Sequence, residues 1–273
     1  MKRIIITGAT SGIGKALVHG FASREEQVIA LGRNKDRLDR LSRASAGMDV
    51  VTLLADLSRF SDVKKAIDTI TTRYRDGIDV LINNAAIVSK EKRITEDGFE
   101  LQYQVNHLSA ALLTLSLMPL VEKRRGMIIQ TSSNAHRKAR FDPDDIEATK
   151  RYHSLRSYAR TKLYNLLFTL ALRRKVDRDI RFHAVHPGLV RTEIGTKDTS
   201  ALYAWVWRRF TSRGIDPKDA VHSFTGLVYD HFLDAPYIYR EREHEPSRVA
   251  LSIENQDVLY QKTISDLGSL IGK

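Results

Sequence analysis

The first fourteen residues constrain the fold more than any other part of this 273-residue chain. Residues 4–6 form a continuous apolar run, which is typical of a buried central strand in a parallel sheet. The glycine-rich residues 7–14 follow at once and lead into a helical pattern. A strand, a glycine loop and a helix in this order leave free backbone N–H groups and the positive end of a helix dipole where a pyrophosphate binds. The segment therefore predicts a dinucleotide site at the start of an α/β domain.

Apolar strand-like runs alternate with helical patterns along the rest of the chain. This rhythm predicts a Rossmann-type, doubly wound parallel sheet in a single domain over residues 1–273, completed by C-terminal helices. We expect strands near residues 4–6, 28–31, 50–54, 78–82, 127–130, 180–186 and 237–239. We expect helices near residues 13–23, 60–74, 99–122, 156–176, 217–231 and 255–267, with a substrate-loop insertion at about 191–213.

Composition excludes several classes of site. The chain has no cysteine, which rules out disulfides, thiolate metal sites and cysteine nucleophiles. Its three candidate metal ligands His136, His183 and His186 lie on separate predicted elements without carboxylates at ligand spacing, so we expect no metal. The net charge of +11 suits nucleic acid or an anionic membrane, but no nucleic-acid motif accompanies it. We interpret it as a solvated basic surface and expect no nucleic-acid partner.

The chain carries no pattern that directs it into a membrane. Its first strand begins by residue 3, and no apolar run reaches the roughly 18 residues of a membrane span. We therefore expect a cytoplasmic protein without a signal peptide or a transmembrane segment. A peripheral contact with a membrane surface stays open.

Tyr158 and Lys162 lie four residues apart in a helical run, and this spacing puts them on one face of the helix. In isolation such a pair is usually an ordinary surface pair. A free tyrosine has a pKa of about 10, which a neighbouring ammonium group lowers. After a dinucleotide site, an activated tyrosine is the skeleton of a hydride-transfer enzyme.

Arg33 follows the second predicted strand, nineteen residues after Gly14. A carboxylate at this point would bind the ribose 2′-hydroxyl of NAD, whereas a guanidinium suits a 2′-phosphate. We therefore expect NADP(H) to be preferred over NAD(H), with Arg33 as the main contact and Arg37 as a helper. Asn34 is expected to cap the helix that follows.

The order of these motifs resembles the short-chain dehydrogenase/reductase family over nearly the whole chain. Several segments resemble its retinol dehydrogenase and WW-domain oxidoreductase branch, as does the long separation of 25 residues between Ser133 and Tyr158. These segments are residues 105–108, 132–136, 157–163 and 186–188.

The resemblance implies a catalytic set of Asn106, Ser133, Tyr158 and Lys162. Tyr158 would be the general acid in reduction and the general base in oxidation, assisted by Lys162, which would also hold the nicotinamide ribose. Ser133 would hydrogen-bond the substrate oxygen, with Ser132 as the competing neighbour. Asn106 would position a water linked to Lys162. From the residues alone, Ser133 also fits the end of a strand, and Asn106 also fits a polar position inside a helix.

The resemblance also implies a set of cofactor contacts. Asp56 would reach the adenine edge, although it also suits a helix cap, and Asn83 would brace the central strands and the adenine ribose. Ala86 stands where the family usually has glycine. The full expected set is Gly8, Thr10, Ser11, Gly12, Ile13, Gly14, Arg33, Asp56, Leu57, Asn83, Ala85, Tyr158, Lys162, Pro187, Gly188 and Thr192.

The segment after Thr192 is rich in aromatic residues and predicts an apolar lid over a lipophilic aldehyde, ketone or alcohol. An amphipathic helix packed on the domain is the alternative. The lid residues are Leu202, Tyr203, Trp205, Val206, Trp207 and Phe210, with Arg208, Arg209 and Arg213 beside them. The helix of Tyr158 is apolar on two sides, so its second face either meets a partner in a homodimer or is covered by its own chain.

Together these features predict an NADP(H)-dependent oxidoreductase that interconverts a lipophilic carbonyl and its alcohol. One alternative is a reductase of the 3-oxoacyl-carrier-protein type, against which the long Ser133 to Tyr158 separation argues. The other is a non-catalytic NADP(H)-sensing protein of the same fold, which has no need of the intact catalytic set.

Overall fold

The computed structural model describes residues 1–148, 150, 152–177, 179–191, 214–229 and 235–271. In this part of the chain eight strands form one sheet in the order β3-β2-β1-β4-β5-β6-β7-β8. All neighbouring strands are parallel except the last pair, β7 and β8. The strands are β1 (Arg3–Thr7), β2 (Gln27–Gly32), β3 (Val50–Leu54), β4 (Val80–Asn83), β5 (Met127–Thr131), β6 (Arg181–His186), β7 (Tyr237–Tyr239) and β8 (Arg242–Glu243). The predicted doubly wound parallel sheet is confirmed.

Helices cover both faces of this sheet. They are α1 (Gly12–Ala22), α2 (Lys35–Ala44), α3 (Phe60–Arg73), α4 (Leu101–Glu122), α5 (Ser154–Lys175), α6 (Pro217–Ala220), α7 (His222–Tyr229), α8 (Arg248–Leu251) and α9 (Ile253–Leu267). Short 3-10 turns lie at Asn134–Lys138, Pro143–Asp145 and Gly268–Leu270.

The strand β1 shows why the central runs are apolar without interruption. Its alternate side chains enter two separate cores, because successive residues of a strand point to opposite faces. Ile5 packs in the core that includes α3, α4 and α5, while Ile4 and Ile6 pack in the core that includes α1 and α7. All three are fully buried.

The strand order reverses beside β1, where β4 rather than β3 is its second neighbour. At such a point the two loops that leave the carboxyl ends of the strands diverge and open a crevice, which is where α/β sheets bind their ligands. The glycine loop leaves β1 at this crevice. The sheet topology therefore places the predicted dinucleotide site at the expected edge.

Some local features differ from the sequence expectation. The helix α4 contains a π-helical turn at Gln104–Leu108, and the predicted helix at 217–231 is divided into α6 and α7. Asn34 caps α2 as expected, since its side chain accepts a hydrogen bond from the backbone N–H of Arg37 at 2.9 Å.

The second apolar face of α5 is covered by its own chain. Tyr260 of α9 stacks on Phe168, with ring centroids 6.0 Å apart. The same two helices are also joined by ion pairs, since Asp257 of α9 lies 2.6 Å from Arg174 and 2.9 Å from Lys175 of α5. The sequence left open whether this face meets a partner chain or is covered by the same chain, and the structure shows it covered by α9 of the same chain.

One helix in the described ranges, α4, is long and apolar enough to cross a membrane by length and composition. Within the protein, 83% of its most apolar window is buried. This burial is typical of a core helix, so the length alone is weak support for a membrane span.

Candidate active site

A single cleft of about 1620 Å³ opens along the carboxyl ends of the central strands. It joins the glycine loop, the ends of β2, β4, β5 and β6, and the start of α5. Most residues predicted to bind the cofactor or to act in catalysis line it. These are Gly8, Thr10, Ser11, Gly12, Ile13, Arg33, Asp56, Leu57, Ala85, Ser133, Tyr158, Lys162, Pro187 and Gly188.

The glycine loop forms a cradle that side chains would fill. Gly8 and Gly12 have φ angles of +67° and +52°, in the left-handed region that favours glycine. A Cβ on Gly14 would overlap the carbonyl oxygen of Gly8, so this position also requires glycine. The loop leads into the first turn of α1, whose N–H groups have no partners inside the helix. The cradle fits a pyrophosphate bound by backbone N–H groups.

Asn84 ties the end of β4 to the end of β1. Its side chain donates to the carbonyl oxygen of Thr7 at 3.0 Å, and its backbone N–H donates to the Thr7 hydroxyl at 3.0 Å. Asn83, the residue expected from the sequence, lies elsewhere: it is 3% exposed and donates to Thr114 of α4 at 2.9 Å. Alternation along β4 accounts for this, because Asn83 shares the face of Leu81, which packs in the α4 core.

Ala86 lines the cleft at the position where the family usually has glycine. Its φ does not lie in the left-handed region, so its Cβ causes no backbone strain there. The substitution is therefore compatible with an ordinary loop at this edge of the cleft.

Lys162 is a buried ammonium group beside the cleft. Its side chain is 2% exposed, and Nζ donates to the carbonyl oxygen of Thr131 at 2.7 Å. Burial lowers the pKa of Lys162 to about 8, so the group still carries its charge at neutral pH. Nζ lies 5.6 Å from the ring centroid of Tyr158.

Tyr158 is half-buried in the first turns of α5. Burial raises its pKa to about 12, so the phenol keeps its proton at neutral pH. A protonated phenol at the edge of a cleft can donate to a carbonyl oxygen. The expected lowering of the Tyr158 pKa by Lys162 is not seen, since the pKa shifts upward and burial is the cause.

Ser132 and Ser133 differ in how their hydroxyl groups are engaged. Ser132 is 3% exposed and its hydroxyl donates to the carbonyl oxygen of Lys162 at 3.4 Å. The Ser133 oxygen accepts from the backbone N–H of Ala135 at 3.2 Å, which leaves its own hydrogen free to donate. The geometry therefore favours Ser133 over Ser132 as the donor to a substrate oxygen.

Asn106 lies in the π-helical turn of α4 and is fully buried. Its side chain pairs with the backbone of Ile87, accepting from N–H at 2.8 Å and donating to C=O at 2.9 Å. The same amide lies 3.1 Å from the Thr161 hydroxyl. Asn106 does not line the cleft, so in this structure it braces the loop after β4. The water contact implied by the family resemblance stays a prediction.

A buried polar chain that the sequence reasoning missed extends from Asn106. The side chain of Asn165 donates to the Asn106 carbonyl oxygen at 3.0 Å, and its oxygen lies 3.1 Å from Nδ1 of His107. Nε2 of His107 lies 2.9 Å from the Thr263 hydroxyl of α9. Burial lowers the pKa of His107 to about 4, so the ring is neutral; the bond to Asn165 places its hydrogen on Nδ1.

The remaining predicted contacts divide into three cases. Asp56 lines the cleft, but its carboxylate accepts from the backbone and hydroxyl of Ser58 rather than capping α3. The first N–H of α3, that of Phe60, donates to Asp97 at 2.8 Å instead. Arg33 is exposed at the edge of the cleft. Thr192 and the predicted lid, residues 202–213, lie outside the described residues.

The histidines considered for a metal site are occupied in packing. Nδ1 of His136 bonds to the Ser133 carbonyl oxygen at 2.7 Å, and Nδ1 of His183 bonds to that of Ala235 at 2.8 Å. His186 stacks on Tyr239 with centroids 4.8 Å apart. Within the described ranges, no group of three or more His, Cys, Asp or Glu side chains is arranged to hold a metal ion.

A family model described as short chain dehydrogenase matches residues 2–202. The chain belongs to this family. A protein of Streptomyces sp. (strain C5) with the provisional name daunorubicin C-13 ketoreductase is 33% identical over 206 residues, covering 74% of this chain and 70% of that protein. Retinol dehydrogenase 13 of Homo sapiens is 34% identical over 201 residues, covering 71% of this chain and 60% of its own length. The resemblance to the retinol dehydrogenase branch is confirmed.

The solved structures carry the same fold. A short-chain dehydrogenase from Sphingobium yanoikuyae in complex with NADPH superposes with a TM-score of 0.69 at 24% identity. The match covers 97% of this chain and 96% of that one. The chain spans less than two thirds of the human retinol dehydrogenase, so the activity of the whole relative is considered below as a proposal.

The buried charge of Lys162 predicts a measurable pH dependence of stability. Between pH 8 and pH 10.5 the unfolded chain binds a proton that the folded chain does not, so stability rises with pH across this window. Below pH 8 the cost of burial is fully present. We expect Lys162→Met to raise the free energy of unfolding of the cofactor-free protein at pH 7 by about 1–2 kcal/mol, net of the lost hydrogen bond.

Chemical denaturation of both proteins at several pH values checks this prediction. The advantage of Lys162→Met should shrink as the pH rises from 8 to 10.5, while the exposed control Lys64→Met should show no such trend. A Lys162→Met protein that is less stable than wild type at pH 7, or an advantage independent of pH, would contradict it.

Proposed function

We propose that the protein is an NADP(H)-dependent oxidoreductase that interconverts a lipophilic aldehyde or ketone and its alcohol. The observation that carries the proposal is that Ser133, Tyr158 and Lys162 line the same cleft as the glycine cradle. A dinucleotide bound in the cradle extends toward a proton donor, a hydrogen-bond donor and a buried cation. These are the groups that hydride transfer to a carbonyl requires.

Ser133, Tyr158 and Lys162 each have a separate role in the proposed reaction. When bound, the nicotinamide supplies or accepts the hydride at the carbonyl carbon. Ser133 donates a hydrogen bond to the substrate oxygen and fixes its position. Tyr158 gives its proton to that oxygen in reduction and takes it back in oxidation. Lys162, charged at neutral pH, stabilises the phenolate form of Tyr158.

Arg33 supports the choice of NADP(H). It is an exposed guanidinium at the end of β2, where the ribose of a dinucleotide lies in this fold, and it lines the cleft. A guanidinium binds a phosphate through paired charged hydrogen bonds. The Sphingobium yanoikuyae enzyme, which shares the fold, is described in complex with NADPH.

The walls near the reacting groups support an apolar substrate. Val88, Val105 and Phe141 line the cleft in the described part of the chain, and Leu189 enters from the loop after β6. Apolar walls with a few placed polar groups are typical of small-molecule sites. The retinol dehydrogenases among the relatives are named for a lipophilic alcohol.

Replacing the phenol of Tyr158 tests the proposed chemistry and separates an enzyme from a sensor. We expect Tyr158→Phe to lower kcat by at least about 100-fold, because the proton donor is lost. The Kd for NADPH should change by less than about twofold, since the hydroxyl is not needed for the pyrophosphate contacts. Steady-state kinetics with a medium-chain aldehyde and fluorescence titration of NADPH measure the two quantities.

Tyr74→Phe is the matched control for this experiment. Its hydroxyl is buried without a partner in the described structure, in the core beside α3 and away from the cleft. It should leave kcat unchanged. Retention of full turnover by Tyr158→Phe would refute the assigned role.

Removing the guanidinium of Arg33 tests the cofactor preference. Arg33→Gln should raise the KM for NADPH by about 10- to 100-fold, the loss expected for a charge-assisted hydrogen bond to phosphate, and leave the KM for NADH nearly unchanged. Arg43→Gln, an exposed arginine at the end of α2, is the control. An equal effect on both cofactors, or none on NADPH, would count against NADP(H) recognition by Arg33.

A further inference from the structure

The substrate side of the cleft has a cationic rim. We define this rim as Lys90, Arg93, Lys138, Arg140 and Arg156, all of which line the cleft and are exposed. They come from three separate segments: the loop after β4, the segment after β5 and the first turn of α5. Within the described residues none of the five takes part in an ion pair.

In the part of the chain that the structure describes, the acids that line this side of the cleft pair with a cation outside the rim. Asp142 and Asp145 are the acids that line the cleft on this side, and both face Arg160. Arg160 lies 3.3 Å from the Asp145 carboxylate and 4.0 Å from that of Asp142, and it also donates to the Asp145 carbonyl oxygen at 2.9 Å. Glu91 and Asp144 belong to the same segments but do not line the cleft. Among the described residues, the acids that line the cleft therefore leave the positive charge of the rim uncompensated.

The position of the rim separates it from the cofactor phosphates. The phosphate cradle lies at the end of β1, and the predicted 2′-phosphate contact lies at the end of β2. The rim follows β4 and β5 and precedes Tyr158, on the opposite side of β1 in the strand order. Its cations therefore lie on the side of the cleft that holds Ser133 and Tyr158 rather than on the side of the phosphate cradle.

Apolar walls lie in the same cavity as this rim. Val88 and Val105 are buried at 5% and 6% exposure, and Phe141, which lines the same cleft, is half-buried. These apolar side chains, the rim, Ser133 and Tyr158 all line the same cleft. Such a site favours a molecule with an apolar middle and a charged end.

We propose that the substrate is an anionic carbonyl compound, in which an apolar stretch separates the carbonyl group from a carboxylate held by the cationic rim. The inference rests on the proposed oxidoreductase function and specifies the substrate class. Long-range attraction between the rim and the carboxylate raises the rate of productive encounter, and contact at the rim lowers KM.

A pair of substrates that differ only in charge tests the proposal. 9-Oxononanoate and its methyl ester have the same aldehyde and the same apolar chain. With NADPH we expect kcat/KM to be at least about tenfold higher for the acid, because only the acid is attracted by the rim. The preference should fall in about 0.5 M NaCl, since salt screens exposed charges.

Variants of the rim locate the effect. Lys138→Gln combined with Arg140→Gln should lower the ratio of acid to ester kcat/KM by about tenfold. The charge-conserving pair Lys138→Arg and Arg140→Lys should restore the ratio. Lys64→Gln combined with Arg43→Gln removes the same charge from exposed positions outside the cleft and should leave the ratio unchanged.

Three results would overturn the inference. The first is an equal kcat/KM for the ester and the acid. The second is a preference for the acid that does not change with salt concentration. The third is a rim variant that lowers kcat/KM for the acid and the ester by the same factor. If neither aldehyde is turned over, this result counts against the proposed function, and calorimetric binding of nonanoate to the NADP⁺-loaded protein decides on the rim alone. Binding that weakens in the rim variant supports an anion site, and absent or unchanged binding refutes it.

Discussion

The buried ammonium of Lys162 is the constraint on which the arrangement of the site depends. Its bond to the Thr131 carbonyl oxygen fixes α5 against the end of β5, and residues close to this bond on both elements line the cleft. Ser133 is the second residue after the end of β5, and Tyr158 lies one helical turn before Lys162. The stability lost by burying this cation is thus linked to a fixed placement of Tyr158, which we propose as the proton donor.

The fold and the principal side chains were predictable because they depend on local patterns. The continuous apolar character of residues 4–6 predicts a central strand. The glycines at positions 8 and 12 predict a tight loop, and both have the positive φ angles that such a loop requires. Tyr158 and Lys162 follow from helical spacing, and Asn34 from cap chemistry. Each of these signals lies within one element and needs no knowledge of what packs against it.

Other features depend on contacts between distant segments, which one sequence does not display. The π-helical turn at Gln104–Leu108 has no local signature, so the bracing of Ile87 by Asn106 was not foreseen. Asn165 and Thr263 meet His107 across 58 and 156 residues of chain. From the sequence we expect Asn83 at the cleft, whereas the structure places Asn84 there. This difference needs no long-range contact to explain it, since alternation along β4 already indicates which of the two residues faces the cleft. The net charge of +11 is interpreted from the sequence as a solvated basic surface, and only the structure shows that five of these cations line one cleft.

The buried polar contacts that link Asn106, Asn165, His107 and Thr263 show how remote parts of the chain support the site. Thr263 belongs to α9, which also covers the outer face of α5 through Tyr260. From there the buried contacts continue through His107 and Asn165 to Asn106 and the loop after β4. The C-terminal helix is therefore part of the framework that positions the cleft walls.

The most direct test of the central claim is transfer of isotope from the cofactor to the product. The protein is incubated with NADPH that carries deuterium at both C4 positions of the nicotinamide and with an excess of an apolar aldehyde, and the alcohol is analysed by mass spectrometry. The account predicts deuterium on the carbinol carbon of the product, because the hydride passes directly from cofactor to substrate in the cleft. An alcohol without deuterium, or cofactor that binds but transfers nothing to any carbonyl in a broad panel, would contradict it.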